Sequence, residues 1–111
     1  MENITLFENE RFGKLRVVSI NNEPWFVAAD VCADLAIKNT PMALSKLDED
    51  EKMTISSIDS HSGKRGGAQM QNVINEPGLY TLILASRKPC AHDFKRWITH
   101  DVITYIRKHG A

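Results

Sequence analysis

Asn75–Gly110 reads NEPGLYTLILASRKPCAHDFKRWITHDVITYIRKHG and carries the densest helical signal in the chain. Three consecutive short helices account for it. Asn75 suits the N-cap of the first, where its side-chain oxygen takes an orphan backbone N–H, and Glu76 and Pro77 suit the opening turn. Leu79, Leu82, Ile83 and Leu84, with Ala85, place apolar surface around more than half of this helix, which predicts a largely buried element. The second begins near Pro89. Its Ala91, Phe94, Trp97 and Ile98 form a single apolar stripe, so it covers a core from one side. Thr99 is the expected N-cap of the third, with Val102, Ile103, Tyr105 and Ile106 inward, Arg107 and Lys108 in the last turn and Gly110 at the stop.

The chain before this block reads as the layer it packs on. Ile4, Leu6 and Phe7 form a short extended segment, and Lys14–Ile20 alternates as a strand with Leu15 and Val17 on one side. Asn21–Asn22 is a tight-turn signal, because asparagine tolerates positive φ. Glu23–Val27 returns as a second strand whose Trp25 and Phe26 point to opposite faces, with Pro24 at its start or on an edge. Ala28–Ala36 predicts a helix with Val31, Leu35 and Cys32 or Ala28 inward and Asp30 and Asp34 at its rim. Asn39–Thr40–Pro41 is a helix-opening signature for a brief helix carrying Met42, Leu44 and Leu47. Asp48–Glu49–Asp50–Glu51 is a solvated acidic turn, followed by a strand from Lys52 to Ile58. Asp59–Ala68 has no apolar periodicity and reads as a hairpin tip, and Met70–Ile74 pairs back. The expected fold class is α+β: a small antiparallel or mixed sheet covered by short helices, with a long β-hairpin and a three-helix C-terminal segment.

At 111 residues there is room for one domain with one modest core. No run approaches the roughly 20 apolar residues that cross a bilayer, and the acidic opening Met1–Glu2 is unlike a signal peptide, so no membrane association and a cytoplasmic location are expected. Cys32 and Cys90 make no disulfide framework and read as small buried hydrophobes. Net charge is zero, but residues 1–59 hold six Lys/Arg against eleven Asp/Glu and residues 60–111 hold eight against three. The chain is therefore −5 in front and +5 behind. Such a distribution allows a basic side on a neutral protein.

Catalysis and cofactors find little support in these residues. Ser62–Gly67 lacks the GxxxxGK[ST] order and precedes a strand, whereas a phosphate loop opens a helix. Cys90, His92 and His100 do not supply the convergent ligand set that zinc requires, and Cys90 and His92 diverge on a helix. His92–Asp93 and His100–Asp101 are adjacent pairs that do not face each other, and no nucleophile accompanies them. No catalytic residue, metal or cofactor is expected. The informative feature is basic: Arg87–Lys88, Lys95–Arg96 and Arg107–Lys108. With the second helix's stripe centred on Phe94, Arg96 lies about 200° away and His92 about 160° away, on a shared exposed face. Lys64 and Arg65 in the hairpin tip would neutralise phosphates if they converge with them.

The ordered blocks FGKLRVV (12–18), EPWFVAADVCADL (23–35), ALSKLDEDEK (43–52) and INEPGLYTLILASRKPCAHDFKRWITHDVITYIRKHG (74–110) closely resemble the BRO N-terminal (Bro-N) domain of phage antirepressor and baculovirus BRO proteins. The resemblance covers about Phe12 to Gly110. It rests on Trp25–Phe26, Asp30–Val31, Leu47–Asp48–Glu49–Asp50, Asn75–Glu76 with Gly78–Leu79–Tyr80, Ser86–Arg87, and Phe94 with Trp97. One departure is Ala36, where the family commonly has glycine, which puts a left-handed turn there in question. The resemblance implies a non-catalytic DNA-binding regulatory domain of a phage or prophage antirepressor-like protein. Residues 1–111 would be one such domain, either a complete short protein or part of a longer chain with a C-terminal domain. Expected partners are double-stranded DNA, and alternatively a repressor protein or a second copy in a homodimer. Lys64, Arg65, Arg87, Lys88, His92, Lys95 and Arg96 are the expected DNA contacts, mainly to phosphate, with Gln69, Gln71 and Asn72 as candidates to read bases.

Overall fold

The computed structural model describes residues 3–56 and 70–109. Alternating side chains over the first third build three antiparallel strands, β1 (Asn3–Asn9), β2 (Gly13–Ile20) and β3 (Glu23–Val27). The segment around Ile4–Phe7 is thus a full edge strand, paired along its length with β2 from Asn3↔Ser19 to Asn9↔Gly13. Asn21 and Asn22 both take positive φ, 54° and 66°, as a two-residue hairpin turn between right-twisted strands requires. β4 (Lys52–Ser56) and β5 (Met70–Ile74) form the second hairpin, and β5 docks on β3 through Phe26↔Ile74 and Val27↔Val73. Among the described residues the sheet order is β1-β2-β3-β5-β4, antiparallel throughout. Pro24 lies ahead of the two residues at which β5 pairs, so its missing N–H leaves no gap in the β3–β5 ladder.

Helices cover one face of this sheet. α1 (Ala28–Asp34) and α2 (Thr40–Ser45) follow β3, a 3-10 turn occupies Glu49–Glu51, and α3 (Glu76–Ala85), α4 (Cys90–Trp97) and α5 (Ile103–His109) close the chain. Leu15, Val17, Phe26 and Ile74 from the sheet meet Val31, Leu35, Leu79, Leu82, Phe94 and Ile98 in the main core. Trp25 faces the other way and packs with Val27 and Val73 in a smaller cluster, so the two neighbouring aromatics serve two layers as their alternation predicts. Asn75 caps α3 by accepting from Gly78 N–H at 3.0 Å, and Asn39 caps α2 by accepting from Met42 N–H at 3.0 Å. The NEPG opening is also bolted to the acidic turn. Asn75 donates its backbone N–H to Glu51 O and its side-chain amide to Asp50 O. A Cβ on Gly78 would stand 2.9 Å from that same Glu51 carbonyl, so only glycine lets α3 approach so closely.

Four expectations need correction. Thr99 is not an N-cap: its hydroxyl donates back to Lys95 O at 2.9 Å, and α4 runs into α5 through a π-helical turn at Ile98–Val102. The wider turn keeps Ile98, Val102, Ile103 and Ile106 on the side already set by Phe94 and Trp97, which a strict 3.6-residue period would not. Leu84 is 82% exposed and Tyr105 also lies outside the core, because one stripe of each helix meets the sheet and the rest does not. Asp30 and Asp34 are buried, although charged side chains were expected at the rim. Cys90 is only half-buried, whereas Cys32 is buried and its thiol is pushed up by that burial.

Ala36 keeps the left-handed turn without the glycine, at φ 60°. Ile37 N–H donates to Cys32 O at 2.7 Å and Ala36 N–H to Ala33 O at 3.1 Å, the paired bonds of a Schellman stop to α1. The methyl group is therefore held in a conformation that disfavours it. Ala36→Gly is expected to stabilise the domain by about 1 kcal/mol, seen as a higher urea midpoint at an unchanged slope.

Candidate nucleic-acid interface

The orientation of α4 is set from its buried side. Phe12, at the β1–β2 turn, lies edge-on to Phe94 at 5.5 Å and stacks on Trp97 at 6.0 Å, while the Arg11 guanidinium sits over the Phe12 ring at 5.2 Å. Arg11 also pairs with Asp93 on one flank of α4. These contacts prevent the helix from rolling. Its opposite flank and outer surface consequently present His92, Lys95 and Arg96, all exposed, within an arc of about 100°. Arg87 and Lys88 are exposed in the turn that leads from α3 into α4.

Among the described residues, no carboxylate lies within 4.0 Å of Arg87, Lys88, Lys95 or Arg96. Asp93, the acid of α4, is turned toward Arg11 instead. Arg107 differs: it reaches Glu76 at 3.6 Å and ties α5 back to the start of α3. The interface expected from the basic pairs thus divides into a free set on and before α4 and a neutralised member on α5. His100, further along, uses Nδ1 against Arg96 O at 2.9 Å.

Lys64, Arg65 and Gln69 lie outside the described residues. Gln71 and Asn72 are on β5, beside β4, which forms the sheet edge opposite β1. Asn72 Oδ1 already accepts from Thr54 Oγ1 at 2.8 Å. α4 instead leans on the β1–β2 turn, at the end of the strand order away from β5 and β4. At about 1.5 Å per residue α4 is about 12 Å long, a third of a DNA turn of about 34 Å. Its face is sized for a few phosphates.

Two features near this surface carried no sequence signal. Lys46, on the loop after α2, shares a groove with Arg87 and Lys88, although about forty residues separate them. Asp34 is buried beside Asp30, with Oδ2 lacking a hydrogen-bond partner among the described residues. Burial, and then the charge of Asp30, push its pKa up to about 7. Asp30 itself accepts from Arg16 backbone N–H and Nε at 2.9 Å and from Nη2 at 3.0 Å. No helix among the described residues is long and apolar enough to cross a membrane.

Residues 14–104 match the family model described as the BRO family, N-terminal domain. The chain is similar to an uncharacterised protein of Haemophilus influenzae strain Rd, 34% identical over 99% of this chain and 54% of that protein. It is also 29% identical to the Bro-N domain-containing proteins 289L and 201R of Invertebrate iridescent virus 6, over 88% and 97% of this chain but 27% and 29% of theirs. The chain thus spans about half the length of the bacterial relative and less than a third of the viral ones. No solved structure matches it. A family match over more than three-quarters of the sequence, on the fold just described, means that the chain belongs to the BRO family through its N-terminal domain.

Proposed function

We propose that the domain binds duplex DNA through the outer face of α4 and the turn before it, as a non-catalytic regulatory module of an antirepressor-like protein. The observation that carries this reading is the set of four exposed cations, Arg87, Lys88, Lys95 and Arg96, left without carboxylate partners among the described residues. Family membership supports it. Guanidinium and ammonium groups there would track phosphates, positioning the domain without reading sequence. His92 would stand among them as a hydrogen-bond donor.

Neutralising about four phosphates predicts that affinity for a random-sequence duplex falls about a hundredfold between ~50 and ~200 mM salt. Fluorescence anisotropy measures it. The variant Arg87→Glu/Lys88→Glu/Lys95→Glu/Arg96→Glu is expected to lose both most of the affinity at ~50 mM salt and most of the salt slope. Because all four side chains are exposed, its circular dichroism spectrum should be unchanged. Equal binding by the variant removes this surface from the proposal.

A further inference from the structure

Of three clefts on the described surface, two mix charges of both signs: Glu23, Glu76 and Arg107 line one, Glu49 and Lys52 another. The third is different in kind. It runs between α2 and the end of α3, holds about 240 Å³, and has Ile37, Met42, Leu82 and Ala85 along its length. Lys46, Arg87 and Lys88 stand at its rim, and no acidic residue among the described residues lines it. Among the described residues none of these three cations has a carboxylate within 4.0 Å.

We propose that this groove binds an acidic peptide segment that inserts one bulky apolar side chain between α2 and α3, with its carboxylates on Lys46, Arg87 and Lys88. The volume favours a single anchor. It exceeds the roughly 150 Å³ that accommodates benzene and falls short of the roughly 300 Å³ at which small-molecule pockets begin. The floor favours a peptide over a phosphate backbone, which has no aliphatic group to bury there. Met42 is 59% exposed at the mouth, and its unbranched thioether can adjust to the shape of an incoming side chain. Leu82 is anchored in the core and supplies a rigid wall. Opposite charge on the partner then orients the segment and excludes basic competitors.

The groove shares Arg87 and Lys88 with the DNA surface proposed above but not Lys95 and Arg96, so its test rests on Met42 and Lys46, which that surface does not use. The immobilised protein is used to select from a displayed library of random twelve-residue peptides, and enriched sequences are synthesised with a fluorophore for anisotropy. Enriched peptides are expected to share a large apolar residue with Asp or Glu within a few positions. Met42→Glu and Lys46→Glu should each weaken their binding about tenfold or more, and replacing the apolar anchor by alanine should do the same. Lys95→Glu/Arg96→Glu should leave peptide affinity within about twofold, whatever it does to DNA. The proposal is overturned by a selection without enrichment, by enriched peptides lacking acidic residues, or by binding indifferent to Met42→Glu and Lys46→Glu. It is equally overturned if random duplex DNA displaces the peptides and itself loses tenfold with Met42→Glu, which makes the groove a nucleic-acid surface.

Discussion

Arg16→Ala is expected to cost the domain about 3–5 kcal/mol, a large share of the 5–15 kcal/mol that holds a small domain together. The reason begins with the sheet. The β2–β3 ladder ends at Val17↔Phe26, after which β3 turns into α1 and leaves the Arg16 backbone N–H facing no strand. Asp30, one turn into α1, accepts that N–H, and the same carboxylate binds the Arg16 side chain at two points. Both side chains are nearly enclosed, at 13% and 5% exposure. Without the guanidinium, an ionised carboxylate stays buried with one backbone donor, and a second buried acid lies one turn away at Asp34. Chemical denaturation at neutral pH measures the loss. The double variant Arg16→Ala/Asp30→Asn should be more stable than Arg16→Ala alone, since the amide still accepts the N–H and the stranded charge is gone. A loss below about 1 kcal/mol in the single variant would show that the pair does not anchor α1.

That anchor marks the boundary of what the residues announce on their own. Local chemistry was legible: Asn75 and Asn39 cap helices, Asn21–Asn22 turns, and Trp25 and Phe26 part to opposite faces, because each depends on neighbours within four positions. The exposure of His92 and Arg96 was legible for the same reason, since Phe94 and Trp97 define the buried stripe of their own helix, whereas Lys95, at the boundary of that stripe by its angle, is exposed as well. Asp30 and Asp34 were misplaced because helical spacing says which residues share a face, but not that a strand ending early would draw that face onto an unpaired N–H. The Thr99 boundary failed because a threonine after an apolar residue looks alike whether it caps a new helix or bonds back within a π turn. The groove beside Lys46 and Arg87 depends on α2 meeting α3, a contact between distant segments that no local pattern encodes.

Asp34→Asn is expected to reverse part of the domain's response to pH. Asp34 is 7% exposed, and burial followed by the charge of Asp30 raises its pKa from 3.8 to about 7. The folded state therefore binds a proton more tightly than the unfolded chain. Stability from this group is fully present below about pH 3.8 and is lost as pH rises through about 7, because ionisation is easy in the unfolded chain and resisted in the fold. A displacement of about three units corresponds to roughly 4 kcal/mol at most, of which roughly 2–3 kcal/mol falls between pH 5 and pH 8. Asparagine has nearly the same shape, which suits a carboxyl group whose Oδ1 lies against Gly13, and cannot ionise. The variant should therefore gain on the wild type by roughly that amount between pH 5 and pH 8, read from denaturant midpoints across the interval. At acid pH the advantage should vanish, because the protonated carboxyl is as uncharged as the amide and burial penalises neither for a charge. A constant difference across the range would mean that Asp34 does not titrate between pH 5 and pH 8 in the fold, and would overturn its assignment as the group behind this pH response.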